Sequence, residues 1–122
     1  MNHSYTFLIL SFVKYYKTAN VTFNDNELTG SMPKLNSKSL MYLDFSDNKL
    51  SGPILENIFQ VSSFPVLSIL YLSNNTLTGP IPSWDVAESN LKDIWLERNQ
   101  LTGAIPGISS DNLPEISKSE KY

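Results

Sequence analysis

At 122 residues, with a formal net charge of −3 and no cysteine, the chain has room for one compact body and lacks disulfides, zinc–thiolate sites and thiol nucleophiles. Its Lys and Arg residues are scattered singly, which gives no basic face for a polyanion and argues against nucleic acid as a partner. The single histidine, His3, supplies too few ligands for a His-based metal site.

The chain opens on MNHSYTFLILSFVKYYKTAN. Its apolar run, Tyr5 to Val13, is about nine residues against the roughly 20 that a bilayer-spanning helix needs, so no membrane span is expected here. That length suits the apolar core of a secretory signal. No basic residue precedes it, however, and Lys14 and Lys17 occupy the place of a cleavage site. The β-prone stretch FLILSFVKYY also suits a terminal strand laid against the open end of a stack of repeats. Both readings stand for residues 1–18.

From Val21 onward one layout recurs four times: VTFNDNELTGSMP, LDFSDNKLSGPIL, LYLSNNTLTGPIP and IWLERNQLTGAIP. Repetition at this scale reads as stacked copies of one small unit. In each copy two apolar residues two apart (Val21/Phe23, Leu43/Phe45, Leu70/Leu72, Ile94/Leu96) mark one buried side of a short strand. Three residues later stands an Asn: Asn26, Asn48, Asn75 and Asn99. A carboxamide donates and accepts, so a column of them can satisfy backbone groups where each strand turns away; these four are expected to form an internal structural ladder. Leu28, Leu50, Leu77 and Leu101 then point inward, and Gly30, Gly52, Gly79 and Gly103 allow a backbone conformation costly for side chains. Met32, Ile54, Ile81 and Ile105 return an apolar anchor. Leu40, Leu67 and Leu91 complete the buried set, with Thr18 in the first copy.

Spacing between the ladder Asn residues is 22, 27 and 24, and the variation lies wholly in PKLNSKS, LENIFQVSSFPV and PSWDVAESN. Insertions confined to one side fit a curved solenoid with strands in constant register on one face and loops or short helical turns on the other. Leu55, Ile58 and Phe59 have helical spacing, which makes LENIFQVSS the best candidate for a helical turn, ended by Phe64 and Pro65.

Outward strand residues line up in columns: Thr22, Asp44, Tyr71, Trp95; then Asn24, Ser46, Ser73, Glu97; then Asp25, Asp47, Asn74, Arg98. Tyr71 beside Trp95 is the sharpest feature, because large amphipathic rings on a rigid sheet serve as anchors for a peptide or partner loop. Asp44, Tyr71, Trp95, Glu97 and Arg98 are the candidate ligand contacts, and Tyr42 and Ile69 could extend the patch. The plainer reading is that adjacent aromatics shield each other on a solvated strand pair. No acid lies in an apolar pocket of the kind a glycosidase needs, and Asp44 with Asp47 falls short of a calcium ligand set. Sequons occur at Asn2, Asn20 and Asn74, of which Asn20 and Asn74 are the candidate glycosylation sites if the chain is secreted.

The pattern over about Ala19 to Ile108 resembles the plant-type extracellular leucine-rich repeat, LxxLxLxxNxLTGxIP, carried in full by LTGPIP at Leu77 and LTGAIP at Leu101. The second copy departs with Ser51 and Leu55, and the first with Met32. The resemblance implies a right-handed α/β, β-rich superhelix of about four repeats with a parallel sheet on the concave face. It implies part of a receptor-like kinase or receptor-like protein ectodomain at a plant cell surface: a non-catalytic module for a peptide, a protein or a co-receptor, without cofactor. A secreted relative of the polygalacturonase inhibitors is the alternative, as is a truncated remnant. Family ectodomains usually begin with a cysteine-paired cap, which is absent here. So are the GxGxxG loop, the VAIK-like lysine and the HRD motif, and phosphoryl transfer is not expected. The expected organisation is an N-terminal segment 1–18, a solenoid 19–116 and a tail 117–122.

Overall fold

A computed structural model describes residues 19–83 and 88–103, together with the backbone of 115–117. The alternative readings of residues 1–18, the sequon at Asn2, the anchor Ile105 and residues 118–122 lie outside the described residues.

Each copy of the repeat folds as two short strands joined by a tight turn. The strands are β1 (Asn20–Thr22), β2 (Thr29–Gly30), β3 (Tyr42–Asp44), β4 (Lys49–Gly52), β5 (Ile69–Tyr71), β6 (Thr76–Pro80), β7 (Asp93–Trp95), β8 (Gln100–Thr102) and β9 (Glu115–Ser117). The first strand of every copy joins one sheet, β1-β3-β5-β7-β9, and the second joins another, β2-β4-β6-β8. Every pairing is parallel, with Val21, Leu43, Leu70, Ile94 and Ile116 in one register column and Thr22, Asp44, Tyr71, Trp95 and Ser117 in the next. The result is a parallel β-solenoid.

The second sheet goes beyond the sequence expectation. The LTG half reads as a turn plus an anchor, yet Leu50 and Leu77 are buried between exposed Lys49 and Ser51 and between exposed Thr76 and Thr78. That alternation is the period of two of a strand with one wet side. The Gly of each copy then takes φ of 75 to 82°. At Gly79 an added Cβ would meet nothing within 4 Å, so backbone conformation rather than space demands glycine there.

Between the sheets lies one apolar core. Leu43, Phe45, Leu70, Leu72, Leu77, Ile94 and Leu96 have no exposed surface at all, and Leu40, Leu67 and Leu91 close the core from the side on which each coil enters. The longest connection, 55–66, inserts Ile58, Phe59 and Phe64 into the same core. It does so through turns, not a helix: Ile58 N–H donates to Leu55 O, Gln60 N–H to Asn57 O and Ser63 N–H to Gln60 O, all i to i−3. A segment this short cannot recover the cost of helix nucleation, and Val61 and Pro65 further disfavour propagation. No helix forms among the described residues.

Three of the four asparagines, Asn48, Asn75 and Asn99, hold the coils to one another. Asn75 Nδ2 donates to Phe45 O in the preceding coil and to Leu72 O and Ser73 O in its own, while its Oδ1 accepts from Leu50 N–H. Asn48 repeats the pattern with Phe23 O, Phe45 O, Ser46 O and Leu28 N–H. Asn99 does so with Leu72 O, Leu96 O, Glu97 O and Leu77 N–H. Asn26, exposed at the first described coil, donates to Phe23 O and Asn24 O. On the connecting side, long polar residues cross between coils in the same way: Asn57 to Leu35 O, Gln60 to Ser83 O and Asn90 to Pro65 O.

Removing a central rung strands several buried backbone groups at once, each worth about 1–3 kcal/mol when left unpaired. Asn75→Ala is therefore expected to lower stability by about 3 kcal/mol or more, and Asn26→Ala by about 1 kcal/mol or less. Urea unfolding followed by far-ultraviolet circular dichroism measures both, and equal midpoints for the two variants would contradict the ladder's weight in the fold.

Candidate functional site

The outward face of the first sheet carries a continuous aromatic run. Tyr71 and Trp95, register partners on β5 and β7, stack with ring centroids 4.1 Å apart and an interplanar angle of 17°. Tyr42 meets Tyr71 edge-on at 5.6 Å and 75°. The first spacing follows from the sheet itself, since adjacent parallel strands lie about 4.8 Å apart and same-register side chains must stack or splay, whereas Tyr42, whose register partner is Ile69, reaches Tyr71 diagonally. Trp95 stays 42% exposed, while Tyr42 and Tyr71 are half-buried.

Asp93 fixes the run in place. Its Oδ2 accepts a hydrogen bond of 2.7 Å from the Tyr71 hydroxyl. That hydrogen bond, followed by burial and the nearby negative charge, pushes the Tyr71 phenol up to about 12. Tyr42 is also raised, by burial first and then by the charge of Asp44. The repeat pattern does not mark Asp93, although it stands two residues before Trp95 and so on the same side of β7.

The candidate contacts separate by environment. Tyr71 and Trp95 touch. Asp44 lies in their register column but is 7% exposed, with Oδ1 accepting from Ser46 N–H. Glu97 is half-buried; its Oε1 is shut off from solvent and has no hydrogen-bond partner among the described residues. Arg98 is exposed, in the turn that follows β7. Asn20 is exposed on β1, and Asn74 is exposed in the turn after β5 with Nδ2 donating to Asp47 Oδ1 at 2.6 Å. On the connecting side of the solenoid, a cleft of about 530 Å³ is bounded by Lys34, Glu56, Asn57, Gln60 and Ser83. Asn57 and Gln60 there already serve as ties between coils. No group of three or more His, Cys, Asp or Glu suited to a metal occurs among the described residues.

Two stretches, residues 39–61 and 66–85, match the family model for the Leucine Rich Repeat. The chain is 39% identical to Cuscuta receptor 1 of Solanum lycopersicum over 75% of its own length and 8% of that protein. It is 49% identical to a receptor protein kinase-like protein of Arabidopsis thaliana over 49% of its length and 8% of that protein. This is a plant-type leucine-rich repeat chain. Among solved structures it is similar to Pollen Receptor Kinase 3, with a TM-score of 0.63 and 28% identity over 83% of this chain and 49% of that one. The leucine-rich repeat chain thus matches only about a twelfth of the length of these two curated relatives.

One property of these leucine-rich repeats is not foreseen from the sequence. Asp25, Asp47, Asn74 and Arg98 all sit in the left-handed region, with φ of 57 to 59°. Each is the residue before a ladder Asn, where the chain reverses hand to bring the carboxamide inward. Asp and Asn tolerate that region through local hydrogen bonds, and their recurrence at one repeat position is the available signal. Arg98 lacks the short polar side chain that makes such a local bond. Arg98→Asn is expected to stabilise the chain by about 1 kcal/mol, raising the melting temperature by a few degrees in calorimetry.

The Tyr71 phenol supplies a pH prediction. Its folded pKa lies above the ordinary 10.0, so the fold favours the neutral phenol. The stability this contributes is complete below about pH 10 and lost as pH rises toward 12. Asp93→Asn should bring the Tyr71 titration back toward 10, read as the phenolate absorbance difference between each protein and its Tyr71→Phe counterpart. An unmoved midpoint would sink the assignment of Asp93 as the cause.

Proposed function

We propose that this chain is a non-catalytic binding module, part of a receptor-like recognition surface, and that it takes a peptide or protein on the outward face of the first sheet. The observation that carries the reading is the Tyr42–Tyr71–Trp95 run, anchored by the Tyr71–Asp93 hydrogen bond and left exposed at Trp95. Rigid aromatic side chains lose little conformational entropy on binding and dominate recognition energetics. Tyr71 and Trp95 are the anchors in this reading, Glu97 and Arg98 the polar contacts beside them, and Asp44 the buried acid next to Tyr71 in the same register column. Similarity to plant receptors supports a role in signalling or defence at the cell surface or outside the cell. In that compartment Asn20 and Asn74 would be glycan acceptors, both exposed and both at the margin of the aromatic patch.

Selection of peptides from a displayed library against the full chain tests the site. Trp95→Ala should weaken the selected binders by about tenfold or more, as truncation of a central aromatic anchor does, while the thermal melt falls only by the few degrees that loss of the Tyr71 stack accounts for, about 1 kcal/mol, and stays cooperative. Asp25→Asn, three strands away and compatible with the left-handed backbone there, should leave affinity unchanged. Binders indifferent to Trp95 would place recognition elsewhere.

A further inference from the structure

We infer that the segment Asp93–Trp95–Glu97 is a seat for a basic side chain, arginine foremost, presented by the peptide or protein partner. This rests on the binding-face reading and names the chemistry the partner brings. Strand alternation carries it. Ile94 and Leu96 are fully buried, so Asp93, Trp95 and Glu97 project together from the opposite side, about 6.6 Å from one to the next. An indole is thereby flanked along its own strand by two carboxylates.

Three further observations converge on a cation. Trp95 stacks on Tyr71 through one ring face and stays 42% exposed, leaving π-surface open to a planar guanidinium. Glu97 is half-buried with Oε1 enclosed and without a hydrogen-bond donor among the described residues, so its carboxylate charge is offset by no partner there and favours a cation placed beside it. Asp93 commits Oδ2 to the Tyr71 hydroxyl, and its Oδ1 is a second acceptor on the same carboxylate. The surroundings add to the field. Asp44 on β3 and Asp47 in the turn after it contribute negative charge two strands away, against Arg98 in the turn after β7, and no ion pair joins Arg98 to Glu97 among the described residues. A metal cation is a poorer occupant, because hard ions need six or more oxygens and no acidic trio is present among the described residues. Arginine suits the seat better than lysine, since a planar fork can stack on the indole while reaching carboxylates on both sides.

The test uses the full chain and synthetic peptides taken from the displayed-library selection, sorted by whether Trp95→Ala abolishes binding. Trp95-dependent binders should share an arginine or lysine at one position. Replacing that residue with citrulline, which keeps the shape and loses the charge, should weaken binding by about tenfold or more. Glu97→Gln, nearly isosteric and safe for the fold, should weaken the arginine peptide, leave the citrulline peptide unchanged and flatten the salt dependence of affinity. Trp95-dependent binders lacking a basic position, or carrying an acidic one, overturn the inference while the binding face stands. If no binder depends on Trp95, both fail.

Discussion

A coil that turns back on itself must bend its backbone inside the protein, and the groups exposed at the bend need partners. The asparagine ladder meets that constraint once per repeat. The carboxamides of Asn48, Asn75 and Asn99 each serve two coils, donating to carbonyls before and within their own turn and accepting from the Leu N–H of the coil behind. A charged side chain could not be buried there and an apolar one could not pair. Everything else in the solenoid follows from holding that bend constant: the strand before it keeps register with its neighbours, and the strand after it forms a second parallel sheet. Hydrophobic burial supplies most of the favourable free energy, and the ladder, together with the parallel strand pairing, makes successive coils superimpose.

The same bend separates what can vary from what cannot. Inward positions are fixed by contact with the next coil, so Leu, Ile, Phe and Asn recur. Outward positions touch their neighbours only across the sheet face, at spacings set by the strands. The face is therefore a rigid array whose chemistry can change residue by residue without cost to the core. Aromatic stacking and the Tyr71–Asp93 bond use that freedom to immobilise a patch without support from the interior.

How far the sequence discloses this depends on whether a position repeats. The inward set, the glycines with positive φ and the register of the Tyr71–Trp95 column are legible because the repeat supplies several independent copies of each. The second sheet is not, since its strands are two to five residues long and their alternation is hidden behind the Gly and Pro of the same motif. The turns at 55–66 mislead for a related reason: Leu55, Ile58 and Phe59 face one side in a helix and also in a chain of i to i−3 turns, and only segment length decides between them. Asp93 is hidden in the pattern because it occurs in one copy alone. Within repeats, structure is what recurs and function is what departs, so the pattern that discloses the fold is silent about the site.

Burial sharpens the site in a direction that composition does not suggest. Asp44 and Glu97 read as two surface acids of similar standing, yet Asp44 is enclosed and already accepts a backbone N–H, whereas Glu97 has one oxygen enclosed without a donor among the described residues. The first is satisfied by its own turn and contributes charge from the strand next to Tyr71. The second is left unpaired beside an exposed indole. The charge of the first is already held by a backbone N–H, whereas that of the second has no hydrogen-bond donor on its enclosed oxygen among the described residues and is left for a cation to offset. Placed two residues from Trp95, with the intervening Leu96 wholly buried, Glu97 makes the outward face at β7 more specific in its demand than the aromatic run by itself. Aromatic surface alone accepts many partners; aromatic surface beside an undercoordinated carboxylate selects those that carry a cation.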